Sequence, residues 1–414
     1  MYFSTGFIVS LVAASSLVSA VPLQRRKTEI MSFASSSTRL DTSGAVYFIT
    51  NEGDNNQIVA ASINTDGTVN LDRATTTDGN GGHGNANGPD ALFSQGSVKA
   101  SSKGKVLATV NAGSNTLSLF SIDAADPTKI DSISNPISSG GEFPVSLAFN
   151  KNGDRLCTLN GGAVNGVACF DVDSKKGLQP IANSVRSLNL KLTTPPSGPA
   201  DTVSHILFSE DEKQVIASVK GSSANKPGFL AVWDVANDGS LSENFKKIDP
   251  PSGGGLPFGM SIIPGQNAVL VADPAVGFTI IDLQGNKSSA VKVDGQSAVC
   301  WTARSSKTGN FYLTDIGTAI VTEVNVDNNL KGTVVKQYQQ TKGSATLDDD
   351  VASINGDDFL YVLGANATEV QTLSIQKAGQ GKNLDQLDVS GPFKASNINF
   401  SRNNLQGMTT FVTQ

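Results

Sequence analysis

The groups in this 414-residue chain that could do chemistry are few: 2 His, 3 Cys and a set of acidic residues ending apolar runs. His205 opens the run His205-Ile-Leu-Phe208, and imidazole is the side chain best matched to proton transfer near neutral pH. At one constant offset before Lys220, Asp273 and Asp315 stand His205, Phe258 and Cys300, the last beside Trp301. That spacing predicts that His205, Phe258 and Trp301 crowd one mouth of a channel, with His205 as general base. Lys220, Asp273, Asp315, Asn111 and Asn160 end comparable runs and are expected to line the same channel. The competing role for His205 is structural, padding a loop at a strand start. His83 falls in Asp78-Gly-Asn-Gly-Gly-His83-Gly84, a run too Gly-rich to pack, which either arches over the mouth or is mobile. Asp273, Asp315 and the run Asp348–Asp350 could gather a hard cation such as calcium. An acidic surface turn is the expected fate of that run, and no metal or cofactor is predicted. Neither zinc-ligand spacing nor a Gly-x-Ser-x-Gly elbow occurs in the sequence.

The elements that must position these residues repeat along the chain. An apolar strand, a polar turn, a second strand ending in a small polar or charged residue, a Gly/Asn turn and a third strand recur throughout. The second strands end at Asn51, Asn111, Asn160, Lys220, Asp273, Asp315 and Gly364, spaced about 52 residues apart, close to the propeller period. Short runs rich in Val, Ile, Thr and Phe suit strands buried between stacked sheets. The prediction is an all-β, seven-bladed propeller of one domain over residues 27–414. Ser396–Ser401 is expected to complete the N-terminal blade, so that N- and C-terminal strands close the ring. Two β-sandwich domains would not explain a repeat that crosses the whole chain. With 16% charged residues and net charge -6, helical repeats and coiled coils are disfavoured and nucleic acid is not an expected partner.

Residues 1–20 read as a signal peptide, with an apolar run Phe7–Val18 and the small-residue site Val18-Ser19-Ala20. Residues 21–26 read as a short pro-segment ending in Arg25-Arg26. The chain is therefore expected to be secreted, with no transmembrane segment, and to sit outside the cell or in a cell wall. In that setting Cys157 and Cys169, on two runs flanking a tight turn, should face each other as a disulfide. Cys300 is left as a buried free thiol. Sequons at Asn286, Asn366 and Asn399 lie beside turn residues and are expected to carry glycans.

Units such as Leu207-Phe-Ser-Glu-Asp-Glu-Lys-Gln-Val-Ile-Ala217 resemble those of the seven-bladed lactonase propellers, which include 6-phosphogluconolactonase and 3-carboxymuconate cyclase. Gly88-Pro-Asp-Ala-Leu-Phe-Ser-Gln-Gly-Ser-Val98, together with the leader, is similar to secreted fungal 3-carboxymuconate cyclase-like proteins, some of them surface glycoproteins or adhesins. The resemblance implies a His, a Glu and Arg residues in the channel of the enzyme. Only His205 matches by type and place, for Ser218-Val-Lys-Gly221 offers no Glu and Arg304 is the single candidate Arg. The expected function is thus a surface or extracellular binding protein lacking the full catalytic set, contacting host or matrix molecules. The alternative is a lactone-forming or lactone-hydrolysing enzyme with His205 as general base and a small carboxylate or lactone in the channel.

Overall fold

The second strand of each repeat is apolar on both faces because it lies between two neighbouring sheets, so alternation gives way to continuous burial. Val106–Asn111 and Ala268–Asp273 are buried at every position, and Arg155–Asn160 and Gln214–Val219 at every position but the first. The structure, a computed structural model, describes residues 1, 30–33, 42–223, 225–284 and 287–413. The expected signal peptide beyond Met1, the dibasic pro-segment and the sequon residue Asn286 lie outside these residues.

The described residues form seven antiparallel sheets of four or five strands. Numbered in chain order from the first complete unit, the inner strands of blades 1 to 6 are Val98–Ser101, Pro144–Phe149, Val203–Phe208, Met260–Ile263, Val299–Arg304 and Thr346–Ile354. Blade 7 closes the ring, as predicted, by joining Thr42–Ile49, Gln57–Asn64, Val69–Thr76 and Ile30–Ser32 to a strand from the far end of the chain.

That closing strand is Gln406–Val412, not the expected Ser396–Ser401. Residues Ser390–Ala395 form a short helix that buries Phe393, whose ring contacts Phe33, Phe48 and Phe400. Asn397 then takes a left-handed backbone, φ 52°, which ends any extended run. Gly407 is the residue that lets the true closing strand approach blade 1. Its φ is 78°, and a Cβ there would stand 2.5 Å from Ser97 Oγ and 2.8 Å from Val98 Cγ1.

The run Asp348–Asp350 is not a surface turn. It belongs to the inner strand of blade 6, with Asp348 1% and Asp349 2% exposed. Asp348 accepts the Gly407 N–H and the Gln406 side-chain amide, both at 2.8 Å, and Asp350 accepts the Thr410 N–H at 2.8 Å. These bonds sew blade 6 to the closing strand, so the burial of the Asp348 carboxylate is tied to ring closure. In blade 2, Cys157 lies directly opposite Cys169 in register and the two are joined as a disulfide, as expected; Cys300 is buried and free.

Candidate functional site

Between Thr76 and Val98 the chain leaves blade 7 and returns to the inner strand of blade 1 by way of the ring's centre. Ala91, Leu92, Phe93, Ser94 and Gln95 are buried there. A buried loop must find partners for its backbone, and this one takes them from inner strands around the ring. Ser94 Oγ donates to Val145 O and Ser146 Oγ to Gln95 O in blade 2, while Gln95 N donates to Ser204 O in blade 3. The Gln95 side chain pairs with Thr302 of blade 5 like a strand, donating to its carbonyl at 2.9 Å and accepting its N–H at 3.2 Å. Trp301 Nε1 and Gln406 Nε2 both donate to Ser94 O, and Gly96 N reaches the Asp348 carboxylate. In blade 4 the fit is equally close, since a Cβ on Gly259 would meet Gln95 Oε1 at 2.0 Å. Segment 89–97 is a plug that divides the channel into two ends.

Above the plug, at the end where second strands finish, is a pocket of about 310 Å³ walled by Pro89, Asp90, Phe93, Lys220, Leu256, Phe258, Ala298, Cys300 and Ile316. Asp273 and Asp315 build its walls rather than face its contents. Asp273 accepts the N–H groups of Gly255, Leu256 and Ala275, and Asp315 those of Ser297, Ala298 and Gly317. Each carboxylate thereby folds the loop that leads into the next inner strand and presents Leu256 or Ala298 to the pocket. Asn111 serves a similar end in blade 1, accepting Thr77 Oγ1 and donating to Ser118 Oγ, and Asn160 donates to Ser139 O. Among the described residues no three His, Cys, Asp or Glu side chains are placed to share a metal ion.

Lys220, only 3% exposed, donates from Nζ to Phe93 O and Val203 O, each at 2.7 Å, and lies 4.6 Å from the centre of the Phe258 ring. Phe258 in turn meets Trp301 edge-on at 5.0 Å. Asp90 has a left-handed backbone, φ 68°, and its carboxylate accepts Ser94 N–H at 3.2 Å. Burial raises the Asp90 pKa, the Lys220 charge draws it back, and the Asp348 charge raises it again. Burial likewise lowers Lys220 against the opposing pull of Asp90. The Cys300 thiol is pushed up, chiefly by burial.

His205 is elsewhere, which corrects the expectation that it shares one mouth with Phe258 and Trp301. A register shift between Val203 and Ile206 breaks the strand's regular pairing next to it. The ring, 4% exposed, accepts the Met260 N–H at Nδ1 over 2.9 Å and lies against Gly96 beneath the plug. It lines a different cleft, of about 730 Å³, with Lys99, Phe149, Phe208, Glu210 and Met260. Burial, then the Lys99 charge, hold its pKa well below the usual histidine value. At neutral pH the ring is uncharged and, with Nδ1 accepting, carries its proton on Nε2. His83 is built into its loop, both ring nitrogens facing carbonyls, of Gly84 and Gly88. Sequence reasoning named Lys220 and Phe258 but missed Asp90 and Phe93 as pocket residues. The apolar Ala-Leu-Phe triplet inside a Gly-rich loop was the available signal.

Residues 33–187, which span part of blade 7 and all of blades 1 and 2, match the family model described as lactonase, 7-bladed beta-propeller. The periplasmic gluconolactonase of Pseudomonas aeruginosa superposes with a TM-score of 0.61 at 14% identity, covering 90% of this chain and 99% of that one. A candidate 6-phosphogluconolactonase from Bacteroides uniformis gives 0.60 at 13% identity over 84% and 97%. A functionally unknown protein of Desulfotomaculum acetoxidans gives 0.59 at 13% identity over 90% and 100%. At these identities the likeness is one of fold. No curated protein matches the chain.

Proposed function

We propose that this lactonase-type propeller works outside the cell as a binding protein, holding a small and largely apolar molecule at the channel mouth instead of turning over a lactone. The plug carries this reading. It puts His205 below and the pocket above, so a molecule in the mouth is out of reach of the imidazole. A sugar lactone or a polycarboxylate needs several donors or cations around it. The pocket supplies two ionisable groups, Asp90 and Lys220, the side chains of Asn87 and Ser222 and the Cys300 thiol, and otherwise Phe, Leu, Ile, Pro and Ala. Such walls favour a compact apolar body with one polar group.

The extracellular setting is part of the proposal. It draws on the leader-like run, the disulfide in blade 2, the exposed Asn399 and the half-buried turn residue Asn366. Among the described residues, no helix is long and apolar enough to cross a membrane. A glycosylated, disulfide-pinned ring of this kind suits a surface protein of the 3-carboxymuconate cyclase-like group, with host or matrix molecules met at its outer face. The competing enzyme reading keeps one observation: His205 lines the opposite cleft together with Lys99, where a carboxylate could approach. Steady-state assays with γ-lactones, δ-lactones and 6-phosphogluconolactone separate the two. The binding reading expects no turnover by the wild type; turnover that falls about 10²–10⁴-fold in His205→Asn would overturn it.

A further inference from the structure

We infer that Lys220 is a nucleophile whose ε-amine forms a reversible imine with a small apolar aldehyde or ketone seated in the mouth pocket. The inference rests on the pocket being the ligand site, and it names the ligand's polar group as a carbonyl. Lys220 lines the pocket, and the two hydrogen bonds of its Nζ go to neutral backbone carbonyls, Phe93 O and Val203 O. A neutral –NH2 can make just those two bonds, leaving its lone pair at the third position. An ammonium satisfies the same two carbonyls and sets its third N–H toward the Phe258 ring. The neutral amine's lone pair takes that third position, so to attack a carbonyl the amine turns about its Cε–Nζ bond and gives up one of the two backbone bonds. Burial among Phe93, Leu256, Phe258 and Ile316 favours the uncharged form, the condition that activates lysines for Schiff-base chemistry.

The step balances within the site. Nitrogen attacks the carbonyl carbon, a C–N bond forms, and the former C=O electron pair moves to oxygen, which takes up a proton. The nitrogen gives up a proton, the oxygen takes a second and leaves as water, and the nitrogen lone pair closes the C=N bond. Nothing is oxidised or reduced, and hydrolysis runs the sequence backward to release the carbonyl compound. Asp90 is the group for the proton transfers: it lines the same pocket, and its carboxyl feels the Lys220 charge and is kept readily protonated by burial. A protonated imine retains one N–H, so one of the two carbonyl bonds survives the reaction.

The test treats the intact protein with hexanal and cyanoborohydride at neutral pH, the aldehyde below one equivalent, followed by peptide mass mapping. The expected result is one hexyl group on Lys220 ahead of the exposed lysines, no such label in Lys220→Met, and trapping slowed roughly 10²-fold in Asp90→Asn. Hexyl groups on exposed lysines alone would overturn the inference. Hexanol, which has the same chain without the carbonyl, tells the two failures apart by thermal shift. If hexanol stabilises the protein while Lys220 stays unlabelled, the imine is wrong and the pocket stands. If neither hexanol nor hexanal raises the melting temperature and Lys220 is unlabelled, both readings fall.

Discussion

Replacing Gln95 by Met keeps the plug's volume and removes its pairing with blade 5. Two hydrogen bonds are lost, the 2.9 Å bond to Thr302 O and the 3.2 Å bond from Thr302 N–H. Thr302 O keeps a second partner, since Ser261 Oγ donates to it at 3.2 Å. The Thr302 N–H keeps none of its own, and the residue is buried. A net loss of about 1 kcal/mol for the bonds, plus about 1–3 kcal/mol for an orphaned buried donor, gives about 2–4 kcal/mol. Denaturant midpoints should report that loss. Hydrogen exchange should localise it, because the Gln95 N–H is bonded to Ser204 O and the Gly96 N–H to Asp348. Exchange at those two amides should speed up by roughly 10²-fold, since every 1.4 kcal/mol is a factor of about ten. A variant with wild-type midpoint and wild-type protection at both amides would refute the idea that the plug is held by this pairing.

Asp348 has its pKa raised from 3.8 to about 6, chiefly by burial, with backbone donors and Lys99 pulling the other way. A carboxyl that binds its proton more tightly when folded makes the native state hold more protons than the unfolded one between those values, so its contribution falls as pH rises from 3.8 to about 6. Asp348→Asn should remove that part of the slope in a stability-versus-pH series, while lowering stability at pH 7 because an amide has one acceptor oxygen: with that oxygen kept on Gly407 and Gln406, its NH2 faces the Gly96 N–H, donor against donor. Replacing Cys157 and Cys169 together by Ser should leave the ring folded but cost about 2–4 kcal/mol by denaturant titration. Gly407→Ala should destabilise by more than about 1 kcal/mol, since it combines a φ of 78° with a contact at 2.5 Å. A wild-type melting curve for that variant would remove Gly407 as the reason that the closing strand fits against blade 1.

The parts of this fold that were legible in the sequence are those set by local pattern. Second strands such as Val106–Asn111 are mostly apolar and end in a small or polar residue, so their ends could be counted and the number of blades inferred. The disulfide followed from a single hairpin, where register is fixed by the turn between Cys157 and Cys169. The closing strand was misplaced because Ser396–Ser401 has the alternation of an inner strand, while Gln406–Val412 carries a left-handed glycine near its start. What decides between them is Phe393 docking on Phe33 and Phe48, a contact between the chain's two ends. Asp348–Asp350 read as solvated because three acids in a row usually are. Their buried donors, Gly96, Gly407 and Thr410, lie far away in sequence. The candidate site failed in the same way. Lys220 and Phe258 were named from their places in the repeat, but the plug that gives them Phe93 and Asp90 as neighbours comes from a loop outside the repeat. His205 was correctly put near a strand start, yet the register shift beside it was not readable from composition or period.

The central claim is that a small apolar molecule binds above the plug and apart from His205, and calorimetric titration with hexanol tests it most directly. Wild type and His205→Asn should bind alike, with a negative heat-capacity change from apolar burial. Ala298→Trp, which fills the mouth pocket from its wall, should abolish the heat. Equal binding by Ala298→Trp and wild type, with loss in His205→Asn, would put the ligand in the opposite cleft and contradict the account.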